Sequence, residues 1–394
     1  MKIAVIIAEY NPFHNGHAYH IAQTRAAGAT HIAVVMSGNF VQRGEPAFLE
    51  KHRRAEMALT SGADLVLELP LPYTCAPAQR FAEGGVTMAA ALGADMLSFG
   101  SECGSTALLE KTAASLETEA YRLRFREELD GGRTYAAAAA RAMTAVWPQG
   151  EEVMQGANDI LGLEYIRAIR RLGSSIKPLA IRRMSTLHDG AVPEGSFASA
   201  SLLRSWRKEA AIEPYVPEEC RSLLRRALAA GETPDPARYE TAALAVLRRL
   251  GREAFSSLPD LSEGIDNRLY EASRIAVSLP ELLTQAKTKR YTLSRIRRLV
   301  TAAFLGITAE DAAGPVPYLR VLGANRRGRE ILAAAQGRSA LPVEASLAKL
   351  RRLGGRAGRL AELEGRASDL YALLLEMPRP CGSDFTETAI WTEK

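Results

Sequence analysis

Lys2-Ile3-Ala4-Val5-Ile6-Ile7-Ala8, followed at once by Glu9-Tyr10-Asn11-Pro12-Phe13-His14-Asn15-Gly16-His17, is the stretch from which the fold of this chain is read. Every residue from Ile3 to Ala8 is apolar, so an extended segment here buries both faces, as a parallel strand flanked by helices does. Asn11-Pro12 then breaks the strand, and helix-length sequence runs from His17 to Ala27. The unit repeats: His31–Ser37, Asp64–Leu69 and Asp95–Phe99 are further strand candidates, with helices over Leu49–Ser61 and Ala78–Leu92. Gly62-Ala63 and Gly93-Ala94 stop those two helices. Buried strands alternating with helices imply an α/β fold with a parallel sheet covered on both sides.

Residues 105–147 read as two helices around the turn Asp130-Gly131-Gly132, Asn158–Leu172 as another helix, and Lys177–Arg183 as a fifth strand. A loop with Gly190, Pro193 and Gly195 leads to Ser199–Trp206. Beyond Trp206 the strand signals largely stop. Helical sequence is broken there near Pro214–Pro217, Pro234–Pro236, Leu258-Pro259, Gly314–Pro317 and Gly354-Gly355. At this length two domains are expected: residues 1–210, with a helical insertion at about 105–155, and a mainly helical 211–394.

Apolar residues make up 47% and charged residues 24%, which excludes a disordered chain. No run approaches the roughly 18 apolar residues of a membrane span, and the first apolar run is too short for a secretory signal. Cys75, Cys103, Cys220 and Cys381 show no CxxC spacing, so no zinc site or disulfide framework is expected and a cytoplasmic setting fits. The net charge is +5, with arginine in excess of lysine and clustered in the second half.

Three of the six histidines, His14, His17 and His20, follow the first strand. Parallel α/β sheets bind ligands at such a place, a strand's carboxyl end beside a helix N-terminus. Gly16 has no Cβ, so a nucleotide can lie against the backbone there. Imidazoles can donate to phosphate oxygens, and one well-placed donor is worth roughly 3 kcal/mol in a transition state. Two other readings stand: polar residues that only begin a helix, and a metal site, which usually adds Cys or carboxylate ligands.

Ile6–His17 carries the HxGH motif of the nucleotidyltransferase superfamily, which includes class I aminoacyl-tRNA synthetases. The fuller strings Ala8–His17 and Ser37-Gly38-Asn39-Phe40-Val41-Gln42-Arg43-Gly44-Glu45-Pro46 resemble the bacterial tRNA(Met) cytidine acetate ligase family. So do Ser98–Glu102, Gly156–Tyr165, Lys287–Thr292 and Asp384-Phe385-Thr386, so the resemblance spans essentially the whole chain. It implies a Rossmann-like nucleotidyltransferase sheet followed by a mainly helical domain. It also implies an enzyme that joins acetate to ATP and passes the acetyl group to N4 of the wobble cytidine of elongator tRNA(Met). ATP and Mg²⁺ are the cofactors this implies; no membrane or DNA partner is expected.

By the same resemblance, Ile7, Ala8, Glu9, Tyr10, Asn11, Pro12, Phe13, His14, Asn15, Gly16, His17, Ala18, Tyr19 and His20 form the nucleotide cradle, with His14 and His17 as the catalytic groups on the phosphates. Gly100 either lets adenosine approach closely or only ends a strand. Asn158 either binds the nucleotide or caps its helix. Arg182 and Arg183 suit a phosphate or a structural salt bridge. Ser199-Ala200-Ser201-Leu202-Leu203-Arg204 resembles the second superfamily motif, a hydroxyl-rich helix start carried here by Ser199 and Ser201, although the family tends to have Thr near Ala200 or Ser201. Arg43 and Glu45 either meet acetate or the target base, or belong to a closing loop. Lys51, Arg53 and Arg54 either meet tRNA phosphates or form a solvated face.

The densest basic stretch holds Lys287, Lys289 and Arg290, then Arg295, Arg297 and Arg298. If the helix includes Tyr291, Arg295 and Arg298 share its face, and cations beside an aromatic suit RNA phosphates and bases. A solvated face is the bland alternative. No Ser–His–Asp or Cys–His arrangement for an acyl-enzyme is evident. Two other functions remain in view. One is transfer of AMP onto a small-molecule phosphate, which has no need of a basic helical half. The other is non-catalytic RNA binding, against which the intact His14–His17 motif argues.

Overall fold

The computed structural model describes residues 1–184, 193, 195–206, 209–262, 264–288 and 291–393. Five strands, β1 (Ile3–Ala8), β2 (His31–Ser37), β3 (Leu65–Leu69), β4 (Met96–Ser101) and β5 (Lys177–Arg182), pair in parallel in the order 3-2-1-4-5. Each lies within two residues of its sequence-based expectation. In central β1 no residue from Ile3 to Ile7 is more than 7% exposed. Ala4 and Ile6 face a core shared with α1 (Asn15–Ala26) and α2 (Lys51–Thr60). Ile3, Val5 and Ile7 face a second core, with α3 (Ala78–Ala91) and α4 (Ala157–Arg171). Because β2 and β4 leave β1 on opposite sides, a crevice opens at the carboxyl ends of β1 and β4.

Two expectations need correction. Residues 105–147 form three helices, Thr106–Leu116, Glu119–Asp130 and Tyr135–Val146. The additional break falls at Glu117-Thr118, where the Thr118 hydroxyl accepts the Tyr121 N–H at 3.2 Å and starts a new helix. Nor do strands end at Trp206. After α5 (Ala200–Trp206) and a mainly helical stretch, β6 (Leu319–Ala324) joins the sheet antiparallel to β3, and β7 (Val343–Glu344) and β8 (Ile390–Trp391) pair with β6. An arginine and a glycine inside the six residues of β6 hide it from pattern reading.

The helical half has its own core, to which Leu299, Val300 and Phe304 of α6 (Leu293–Leu305) and Leu363, Tyr371 and Leu374 of α7 (Gly355–Leu374) contribute. The hairpin Phe40–Val41/Glu45–Pro46 reaches into it. Phe40 lies 6.2 Å from the Phe304 ring and 6.1 Å from that of Tyr371. Gly44, at φ +76°, packs on the α6 backbone so closely that a Cβ would lie 2.6 Å from the Arg297 carbonyl carbon. Thr301 donates its hydroxyl to the Gly44 carbonyl at 2.8 Å.

The basic start of α2 points inward, which overturns both readings of Lys51 and Arg54. Lys51, Glu68, Arg320 and Asp384 are each 3% exposed or less. Lys51 Nζ donates to Glu68 (2.8 Å) and Asp384 (2.6 Å), and Arg320 donates to the same two carboxylates at 2.6 Å each. Burial alone would raise the Asp384 carboxyl; Lys51 and Arg320 outweigh it and hold it well below the usual range. Adjacent Glu364 accepts the Leu71 N–H, and burial, then the Glu68 charge, push its carboxyl up to about 8. At neutral pH it keeps its proton, so two cations balance two carboxylates. Arg54, fully buried, donates to the carbonyls of Leu49 (2.8 Å), Glu9 (2.6 Å), Ser37 (3.0 Å) and Gly38. Arg53 pairs with Glu232 at 2.9 Å.

Asp384→Asn therefore leaves buried cations underpaired and is expected to cost about 3–5 kcal/mol in urea denaturation at pH 7. Glu364→Gln, which mimics the protonated acid, is expected to cost about 1 kcal/mol or less. Between the unfolded value of 4.5 and about 8 the folded chain holds a Glu364 proton that the unfolded chain has released. Its contribution to stability thus falls as pH rises through that window, and the Gln variant should lack that fall. Equal losses for the two variants would contradict this charge assignment.

Candidate active site

A cleft of about 550 Å³ opens at the carboxyl ends of β1, β4 and β5. Its wall includes Ile7, Ala8, Glu9, Tyr10, Asn11, His14, Gly16, His17, Tyr19 and His20, and the more distant Gly100, Asn158, Arg182, Arg183, Ser199 and Ser201. Pro12, Phe13, Asn15 and Ala18, expected in the cradle, do not line it. Phe13 is fully buried in the core beneath α1, against which Ala18 also packs, and Pro12 is buried beside it. Asn15 is spent on structure: its Nδ2 donates to the carbonyls of Ser196 (2.8 Å) and Pro214 (3.3 Å). These four shape the turn that holds the others.

His14 caps α1. Its Nδ1 accepts the Gly16 N–H at 3.0 Å, and its own N–H donates to His17 Nδ1 at 3.2 Å. The rings stack with centroids 3.8 Å apart. A neutral imidazole whose Nδ1 accepts carries its proton on Nε2, so each ring keeps one Nε2–H donor. Burial, and then the charges of Arg183 and Arg204, lower His14 to about 3. Burial and the neighbouring His14 lower His17 too. Gly16 has a reason the sequence did not disclose: a Cβ there would lie 2.9 Å from the His14 ring. His20 lies at the base of the turn, 2.9 Å from the Ser98 hydroxyl, which in turn contacts Thr24 at 2.6 Å.

Unspent donors surround this pair. Tyr10 sits in the left-handed backbone region (φ 51°), buried against Phe13 and His17, and its hydroxyl has no hydrogen-bond partner among the described residues. Asn11 accepts the Phe48 N–H with Oδ1 (2.6 Å) and the Arg204 guanidinium with its carbonyl (2.8 Å), and its Nδ2 has no partner among the described residues. Among the described residues Arg183 makes no ion pair and its buried Nε has no hydrogen-bond partner, and burial lowers its pKa. Such a guanidinium is set for an anion. The Arg183 side chain crosses Gly100, where an added Cβ would make an ordinary 3.5 Å contact. Arg182 lies exposed at the rim.

The Glu102 carboxylate caps α4, accepting the N–H groups of Asn158 (3.2 Å) and Asp159 (2.9 Å). The Asn158 side chain also donates to Glu102 at 2.6 Å, so it is aligned by the cap rather than being the cap. The Ser199 hydroxyl accepts the Leu202 N–H (3.2 Å) and contacts Ser201 (3.1 Å). Arg204 reaches the cleft, paired with Glu45 at 3.1 Å. Among the described residues, no group of three His, Cys, Asp or Glu is placed to hold a metal.

The basic helix is turned differently from its expected face. Arg295 pairs with Asp260 (3.3 Å), donates to its carbonyl (2.6 Å) and lies over the Tyr291 ring. Arg298 lines a separate cavity of about 170 Å³ with Cys75 and Asp260. Arg297, absent from the expected set, lines the cleft with Ser294, Gln42 and Arg43. Only the local density of arginine pointed to it. Lys287 is exposed, and Lys289 and Arg290 lie outside the described residues.

A family model described as HIGH Nucleotidyl Transferase matches residues 1–383. A tRNA(Met) cytidine acetate ligase of Syntrophotalea carbinolica is 39% identical, over 95% of this chain and 94% of its own. The protein of that name from Caldanaerobacter subterraneus subsp. tengcongensis is 37% identical, over 95% of each. The crystal structure of apo Thermotoga maritima TmcAL covers 100% of both chains with a TM-score of 0.92 at 30% identity. Its form bound with alpha-thio ATP gives 0.90 at 29%, also over 100% of both chains. Fold and site together define a nucleotidyl transferase of the HIGH class. Within that class, the chain belongs to the tRNA(Met) cytidine acetate ligase family.

The low value for His14 sets a pH dependence. Between about 3 and the ordinary 6.5, the unfolded chain binds a proton at this residue that the folded chain refuses. Stability is therefore lost as pH falls below 6.5. The melting temperature of the ligand-free protein should drop from pH 7 to pH 5, and less steeply in His14→Gln. An identical slope in the variant would show that the ring is not held neutral.

Proposed function

We propose that this chain is an ATP-dependent ligase that activates acetate and acetylates N4 of the wobble cytidine of elongator tRNA(Met). The observation that carries the reading is the stacked, neutral His14–His17 pair facing a cleft shared with the unpartnered Arg183 Nε. This is a donor array suited to a triphosphate, in a chain whose family likeness spans nearly its full length. An acetate oxygen attacks the α-phosphorus of ATP, the bond to the bridging oxygen breaks, and pyrophosphate leaves. Nε2–H groups and a guanidinium stabilise the charge that gathers on it. The cytidine amine then attacks the acetyl carbon, AMP departs with the bonding pair, and the nitrogen loses a proton. No side-chain nucleophile is required; positioning and charge stabilisation carry the rate.

Magnesium has no cage of carboxylates among the described residues, so its proposed place is on the triphosphate itself. Residues 1–210 are assigned to the nucleotide and the mainly helical 211–394 to the tRNA. Lys287, Lys289, Arg290 and Arg297 are the proposed phosphate contacts, whereas Arg295 is held by Asp260 and Arg298 lines the smaller cavity. No helix among the described residues is long and apolar enough to cross a membrane, and a tRNA substrate makes the cytoplasm the proposed compartment.

Incubation with labelled acetate, Mg-ATP and elongator tRNA(Met), then digestion of the RNA, should yield N4-acetylcytidine. Turnover of a cofactor phosphate with no acetylated base would instead indicate AMP transfer. His14→Ala and His17→Ala should each slow acetate-dependent ATP–pyrophosphate exchange by about 10²–10³. Gly16→Ala, which displaces the His14 ring, should do likewise with the fold retained. Unchanged exchange would remove the histidines from phosphate handling. Lys289→Ala combined with Arg290→Ala should spare exchange, weaken tRNA binding and lower its salt slope by about 2.

A further inference from the structure

The acetyl-transfer step leaves one chemical task unassigned. A cytidine amine is hardly basic, and its N–H becomes acidic only as the new C–N bond forms, so a group in the cleft has to receive that proton. We propose that the Glu9 carboxylate is that acceptor, an inference that rests on the acetyl-transfer reading above.

Glu9 is the only carboxylate among the described residues of the cleft wall. The other wall groups fail for stated reasons. His14 and His17 commit Nδ1 to backbone N–H groups and keep a proton on Nε2, and at neutral pH they are weak bases. His20 is held against Ser98 and is lowered by burial to about 4. Tyrosine hydroxyls are already protonated, and guanidinium groups have no acceptor.

Position agrees. Glu9 directly follows β1, on the side where Gln42, Arg43 and Arg297 form the wall, next to the hairpin that packs on α6. A base held by the helical half would enter there. One oxygen, Oε1, accepts the Gln42 N–H at 2.8 Å, and the described residues supply no donor to Oε2. The charges acting on Glu9 come from several elements. Burial raises its carboxyl, Arg43 and the Gln42 N–H draw it down, Glu45 raises it and Arg204 lowers it, and the net direction is upward. Arg54, Tyr165 and Cys75 also lie within its electrostatic reach. A carboxylate above its ordinary value of 4.5 is a stronger base. In the step itself the amine nitrogen bonds to the acetyl carbon, the bond from that carbon to the AMP oxygen breaks, and the nitrogen's proton passes to Oε2 and then to solvent.

The competing role is structural, with Glu9 only propping the hairpin through Gln42. Glu9→Gln separates the two, because its amide oxygen can still accept the Gln42 N–H but cannot take up the proton. Two measurements are needed across a pH series: acetate-dependent ATP–pyrophosphate exchange, and single-turnover transfer from enzyme-bound acetyl-adenylate to elongator tRNA(Met). Since the carboxylate form is required, the wild-type transfer rate should rise as pH passes upward through the Glu9 value. Glu9→Gln should slow transfer on the order of 10²-fold more than exchange and abolish that rise. Glu9→Asp should keep the rise at a lower rate. Wild-type transfer with Glu9→Gln unaffected, or with exchange and transfer equally slowed, would overturn the assignment while leaving the ligase reading intact. Absence of transfer by the wild type would overturn both.

Discussion

The buried guanidinium of Arg54 is the constraint on which the architecture turns. Its nitrogens meet the carbonyls of Glu9, Ser37, Gly38 and Leu49, where β1 and β2 end and the chain must leave the sheet. A buried charge is tolerated only when its hydrogens are met, and here main-chain oxygens from three segments meet them. One turn earlier in α2, Lys51 joins Arg320 between Glu68 and Asp384 and so binds the first hundred residues to the last hundred. Together these cations set where the histidine turn begins and where the hairpin departs.

That departure explains why the helical half shares in the cleft. Released at Gly38, the chain drives Phe40 into the helical core and lays Gly44 on the α6 backbone. Arg297 therefore stands in the wall beside Gln42 and Arg43. A site built on one Rossmann-like sheet would serve small-molecule nucleotide transfer. A wall partly supplied by a basic helix suits a polyanionic acceptor better.

The electrostatics divide the labour within the cleft. Burial keeps the stacked histidines neutral, which leaves them as donors, while it raises the Glu9 carboxyl against the pull of Arg43. Groups whose surroundings push them in different directions can serve different steps without exchanging roles.

Much of this was legible in the residues alone. Apolar runs without alternation marked the five parallel strands, and histidine spacing beside Gly16 marked the turn, because both are local patterns read along one element. Asn158, Arg183, Ser199 and Ser201, singled out by the family likeness from segments far apart in the chain, all line the cleft. What stayed hidden depended on partners distant in sequence. Arg320 disguised β6, since nothing local says that Glu68 and Asp384 will neutralise it. Helical periodicity chose Arg295 and Arg298, but Asp260 claims Arg295 and leaves Arg297 to the cleft. Sequence by itself determined the layers, the histidine turn and the family. Tertiary structure alone decided which cations are buried and which face the substrate, because a charge's role is set by what it meets in space and not by its neighbours along the chain.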